Sequence, residues 1–238
     1  MRVRGAAVAR LAAGHLVTAC DALGAIGAMP GDALAAPWPV VGRFTARVAL
    51  MEILALGAEP RLLAVTASVA AEDILAGAAA EAATAGLASD AIAWSSERNT
   101  EPVQTAVGVT AVGIAERLRL ARPGGGLAVL ALGRPKVGRA VRLHDPEIAD
   151  LPALRRVLAC PGVVAVTPAG SGGLAARGDA LAREAGMRFQ GDFPPGWDGA
   201  ASAGPATALV CVAAAAEAGA AGAAFGGPWA VIGALVAR

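Results

Sequence analysis

Five side chains stand out by type and setting: Asp21, Asp32, Glu52, Glu97, and Lys136, the only lysine in the chain. Four carboxylates offer hard oxygen ligands of the kind that share a magnesium ion with nucleotide phosphates. Lys136 lies in "ALGRPKVGRAV" (131–141), a Gly/Pro-punctuated loop directly after an apolar run. Arginine presents a planar fork, whereas lysine presents a compact charge on a flexible stem. A lone lysine in such a loop suggests a place where that difference matters.

The settings of the acids differ. The segment 39–58 reads as a helix, and at 100° per residue Glu52 falls about 20° from Val41, inside the apolar stripe of Phe44, Val48 and Ala55. A carboxylate facing a core is costly unless it is paired or meets a cation. Asp21 follows the apparent strand "HLVTAC" (15–20), where the chain enters a glycine-rich turn region, "DALGAIGAMPGD", containing Gly24, Gly27 and Asp32. Glu97 belongs to the polar run "SSERNTEP" (95–102). Gly170, Ser171, Gly172 and Gly173 open a helix whose backbone N–H groups would suit an anion. No Walker A sequence and no dinucleotide-binding glycine pattern is present. His15 and His144, the two histidines, form no hydrolase order with a serine and an aspartate.

The elements that must position these groups alternate between β-rich and Ala-rich runs. Strands are expected at 15–20, 61–69, 103–116, 127–133 and 163–167, and helices at 39–58, 72–86, 147–159 and 174–185. The end of the chain reads as strand, short helix, strand. "ARPGGG" (121–126) is the strongest linker, so a mixed α/β (α+β) chain is expected to divide into domains 1–122 and 123–238.

Composition narrows the function. Aromatics are 3%, tyrosine is absent and net charge is +1, so neither a stacking surface nor a basic stripe speaks for nucleic acid. Three separated cysteines lack zinc spacing and cannot all pair, which fits a reducing, cytoplasmic setting. The apolar stretch 206–238 carries Glu217 and Pro228 and is rich in alanine and glycine, a poor membrane span.

Taken in order, "VTACDALGAIG", "VGRFTARVALMEILALGAEPRLLAVT" and "SSERNTEPVQTAVGVTAVG" resemble the N-terminal half of the AIR synthase (PurM-like) superfamily. That superfamily includes aminoimidazole ribonucleotide synthetase, thiamine-monophosphate kinase, selenophosphate synthetase and the HypE-type hydrogenase maturation factor. "LGRPKVG", "PEIADLPALRRVLACPGV", "PAGSGGL" and "SAGPAT" resemble its AIR synthase-related branch, which includes alpha-ribazole kinases of cobamide lower-ligand salvage. The resemblance implies an ATP-using cytoplasmic enzyme acting on a small molecule, built as a homodimer whose N-terminal strands form a shared barrel. It implies Mg²⁺ on Asp21, Glu52 and Glu97, catalytic roles for Lys136 and Asp21, and nucleotide contacts from Gly24, Gly27, Asp32, Gly170, Ser171 and Gly172. An alpha-ribazole kinase is the expectation; the alternatives are another ATP-dependent PurM-like reaction or a non-catalytic ligand-binding relative. Two features depart from the kinase pattern: no Gly-Asp-Asp segment precedes Val17, and Ala175, Ala176 and Arg177 follow "GSGGL" where an acid is usual.

Overall fold

The computed structural model describes residues 1–238, and the chain divides into two units, Met1–Arg117 and Leu118–Arg238. The first holds strands β1 (Arg2–Val3), β2 (Ala6–Arg10), β3 (His15–Gly24), β4 (Ile26–Gly27), β5 (Leu34–Ala35), β6 (Glu59–Ala67), β7 (Ile92–Ser96) and β8 (Ala106–Ala115). Helices α1 (Trp38–Ala55) and α2 (Glu72–Thr84) accompany them. The main sheet has the order β1-β2-β3-β8-β6-β7, antiparallel except where β7 runs parallel to β6.

Period-two alternation sorts this sheet into two faces. Val17 and Ala19 of β3, Val109 and Ala111 of β8, and Leu63 and Val65 of β6 are buried on the side where α1 lies against β3, β8 and β6. The opposite face carries Thr18, Cys20, Thr110, Val112, Ala64 and Thr66, joined across strands by register. No helix of this unit covers it, and Leu62 and Ile114 remain 55% and 37% exposed.

Helix α1 starts after the N-cap residue Pro37 and carries Pro39 in its first turn, where a fixed φ suits a helix entrance, with no side-chain cap. It ends in a Schellman motif: Gly57 (φ 80°) donates to Leu54 O and Ala58 to Ile53 O. Gly86 after α2 does the same, because only glycine enters the left-handed region without strain. The two helices pack at glycines. A Cβ on Gly42 would strike the Ile74 carbonyl, and one on Gly77 the Pro39 carbonyl. Between them Arg47 and Arg43 converge on Glu81, with Arg47 Nε 2.7 Å and Arg43 Nε 3.1 Å from its carboxylate.

The second unit holds β9 (Leu127–Leu132), β10 (Val163–Pro168), β11 (Arg188–Gly191), β12 (Leu209–Ala214) and β13 (Trp229–Val236), with α3 (Leu151–Leu158), α4 (Gly173–Glu184) and α5 (Ala218–Phe225). Its sheet, β10-β12-β9-β13-β11, is antiparallel throughout. Leu127, Val129 and Ala131 pack with Leu174 and Leu181 of α4. The alternate residues Ala128, Leu130 and Leu132 are buried too, on the face that α5 contacts. Burial on both faces explains why β9 is a continuous apolar run.

Several elements differ from expectation. β3 runs on to Gly24, paired through Asp21↔Val109 to Gly24↔Ala106, so Asp21 and Gly24 lie within a strand rather than in a turn. α3 begins at Leu151, not 147. His144 has φ 62°, Pro146 follows Asp145, and Asp150 caps the helix by accepting from Ala153 N at 2.7 Å. The hairpin β1–β2 and the edge strands β7 and β11 were not expected. No helix is long and apolar enough to cross a membrane.

Candidate functional site

In the first unit, Asp21 points to the same side as Val17, Ala19 and Val109, toward α1. Burial pushes its carboxyl up to about 6, offset in part by the Ala22 N–H. Glu52 is buried on α1 as the stripe required. Its carboxylate lies under the β1–β2 turn, where a Cβ on Gly5 would come within 2.8 Å of Oε1. Both acids therefore occupy the helix-facing side of the sheet.

Glu97 is elsewhere. It follows β7 and is exposed, and its Oε1 accepts the N–H groups of Asn99 (2.5 Å) and Thr100 (3.2 Å). These bonds hold its pKa below the ordinary glutamate value. β7 and β3 are three strand steps apart, about 14 Å at ordinary spacing. No group of three or more His, Cys, Asp or Glu residues gathers closely enough to hold a metal ion. The expected set of Asp21, Glu52 and Glu97 is thus not assembled within one chain.

Asp32 fastens a loop. It accepts from Met29 N (2.8 Å), Thr105 N (2.7 Å) and Thr105 Oγ1 (2.7 Å). Burial opposes ionisation, but these bonds prevail and lower its pKa. Gly27 is small because Thr105 and Asp32 fill the space a Cβ would need. Gly24 is exposed and has open space beside it.

In the second unit, Gly170, Ser171 and Gly172 connect β10 to α4. Gly170 O accepts from Gly173 N and Ala203 N, and Arg177 Nη2 lies 3.6 Å from the Cβ position of Gly170. The first turn of α4 has no acid, so a helix start and a guanidinium offer positive potential to an anion there.

Lys136 is the most closely held of the expected residues. Its Nζ donates to Asp145 Oδ2 at 2.7 Å and to Glu147 Oε2 at 2.6 Å. The hydrogen bonds to Asp145 and Glu147 raise its pKa against a smaller effect of burial, and Lys136 in turn lowers that of Asp145. Two residues before it, Arg134 stacks 4.2 Å over the Trp197 ring and donates to Gly196 O. Thr105, Thr207, Asp145, Glu147 and the Arg134–Trp197 stack were not singled out from the sequence. The acidic pair in "HDPE" after "RPK" was the available signal.

No family model and no curated protein sequence matches the chain. Solved structures do. E. coli HypE, a hydrogenase maturation protein, is similar at a TM-score of 0.70 and 19% identity over 94% of this chain and 80% of that one. AaThiL complexed with AMPPCP and TMP has a TM-score of 0.69 at 14% identity, covering 100% and 87%. A hydrogenase maturation protein HypE in complex with ATP has a TM-score of 0.62 at 18% identity, covering 96% and 79%. The shared architecture over nearly all of the chain is the PurM-like α/β fold.

Proposed function

We propose that this chain is an ATP-dependent small-molecule phosphotransferase, and that its acceptor is alpha-ribazole. The observation that carries the class is full-length likeness to ThiL, held with AMPPCP and TMP, and to HypE, held with ATP. The acceptor rests on the resemblance of "LGRPKVG", "PAGSGGL" and "SAGPAT" to the alpha-ribazole kinase branch. In this reading the 5′-hydroxyl oxygen attacks the γ-phosphorus, the bond to the β–γ bridging oxygen breaks, and ADP departs. Asp21, with a carboxyl near 6, is suited to take the hydroxyl proton close to neutral pH. Gly24, Gly27 and Asp32 of the first unit are read as nucleotide contacts, and Lys136 and the Gly170–Gly172 loop of the second as phosphate contacts, with Lys136 offsetting charge on the phosphoryl oxygens. Positioning and electrostatics supply the rate.

Magnesium enters as part of the substrate, Mg·ATP. Asp21, Glu52 and Glu97 do not fit a magnesium set within one chain, so no step is routed through a protein-bound ion.

A homodimer belongs to this reading. No helix of its own unit covers the open face of the N-terminal sheet, where Leu62 and Ile114 stay exposed beside Val112, and exposed apolar surface of that kind favours association. Sedimentation should give a dimer at micromolar concentration, and Val112→Arg should shift it to monomer. A monomeric parent protein would remove this part of the reading.

A second reading, a non-catalytic ligand-binding relative, is favoured by the paired state of Lys136 and the dispersed acids. Phosphorus NMR of protein with Mg·ATP and alpha-ribazole separates the two. The kinase reading expects ADP and a phosphomonoester to grow together. ATP that binds but stays intact supports the second reading, and no ATP binding at millimolar concentration sinks both.

A further inference from the structure

The loop that presents Lys136 also supplies a competitor for it. The Lys136 backbone is fixed: its N–H donates to Thr207 Oγ1 at 2.9 Å, and that hydroxyl lies 3.2 Å from its carbonyl. Only the side chain is left to move. The two carboxylates holding that side chain are unequal. Asp145 is anchored, with its side chain 12% exposed and its second oxygen accepting the Glu147 N–H at 2.9 Å. The Glu147 side chain is 52% exposed, and its carboxylate is bonded to Lys136 alone.

The three directly bonded groups, one cation and two anions, sum to −1, and Arg142 acts on Asp145 without bonding it. An arriving phosphate would meet an ammonium already over-neutralised, so binding requires a carboxylate to withdraw. Glu147 is the one that can leave, because it swings into water. Asp145 would have to be pulled from partly buried bonds, which is costlier.

We propose that Glu147 is a charge gate on Lys136: in the free chain it occupies the ammonium, and a polyphosphate replaces it while Asp145 stays bound. The proposal rests on the reading of Lys136 as a phosphate contact. Its consequence is selectivity for charge density. A terminal polyphosphate group, with several charged oxygens close together, displaces Glu147, whereas a singly charged anion gains too little.

Inorganic tripolyphosphate is the probe, titrated calorimetrically into the parent, Glu147→Gln, Lys136→Met and the double variant. Glu147→Gln should bind about two- to fivefold more tightly than the parent, the worth of a half-exposed ion pair. The gain should vanish in the Lys136→Met background. Unchanged or weaker binding by Glu147→Gln overturns the gate, as does a gain that persists without Lys136, which would be a general charge effect. If the parent and Lys136→Met bind equally, the phosphate-contact reading fails and the gate with it. Lys136-dependent binding with a silent Glu147→Gln removes the gate alone. Because Lys136 is the only lysine, lysine-labelled protein gives one side-chain signal. It should move on adding tripolyphosphate to the parent and already be displaced in Glu147→Gln, independently of any change in stability.

Discussion

Asp32 receives both hydrogen bonds that Thr105 can give, the N–H at Oδ1 and the hydroxyl at Oδ2, each at 2.7 Å. This pair ties the loop after β4 to the entrance of β8, and Trp38 at the start of α1 donates to the same hydroxyl at 3.3 Å. Asp32→Ala would strand the N–H groups of Met29 and Thr105. The expected loss is about 1.5–3 kcal/mol of stability, read from urea unfolding. In a double-mutant cycle with Thr105→Val the losses should be less than additive, because the two residues share their bonds.

Glu81 is the shared anion between α1 and α2, with its side chain 2% exposed and that of Arg47 8%. Glu81→Ala leaves a buried guanidinium over Phe44 without this partner, so a loss of about 3–5 kcal/mol is expected. Replacing both Arg47 and Glu81 by apolar residues of similar volume should recover much of that loss. Chemical denaturation of the parent and the two variants provides the measurement.

Gly42 and Gly77 let the same two helices touch backbone to backbone. Gly42→Ala or Gly77→Ala should push them apart at a cost of about 1–3 kcal/mol, even though alanine is the better helix former. A thermal melt in which either variant equals or exceeds the parent would refute the close approach.

Asp21 gives stability an acid-side signature. Its folded-state carboxyl is raised to about 6 from 3.8, so above pH 6 it is charged in both states and burial penalises the fold. As pH falls through 6 the folded state takes up a proton that the unfolded state does not, and this penalty fades until both are protonated below about 3.8. Asp21→Asn should therefore stabilise the metal-free protein at pH 7.5 by about 1–2 kcal/mol, discounted for partial solvent contact. The advantage should shrink toward pH 5. Urea midpoints at the two pH values decide it, and a pH-independent difference would contradict the burial argument.

Where local chemistry decides structure, the sequence was readable. Gly57, Gly86 and Gly186 each close a helix by the same left-handed cap, and the expected ends of α1, α2 and α4 follow from them. The stripe that carried Glu52 inward is also a local property, and the residue is buried. What was hidden depends on partners far along the chain. Asp21 looked like the residue after a strand because nothing nearby announces that β8 extends the pairing to Gly24. The β1–β2 hairpin was masked by arginines among its short alternating residues. Lys136 was conspicuous, but its carboxylates were not, since their approach depends on a loop bent at His144 with φ 62°.

The central pairing of the N-terminal sheet also sets a timetable. β3 has β2 on one side within a few residues, but its other neighbour is β8, at the far end of the unit. Such high contact order makes closure of the sheet slow. On a ribosome adding about 5–20 residues per second, the free edge of β3 would wait roughly 5–20 s for β8 to be made. During that interval its apolar side chains lie beside an unpaired row of backbone donors and acceptors. The nascent N-terminal unit is thus the stage of this protein's life at which a holdase chaperone, or a neighbouring nascent chain, has its opening.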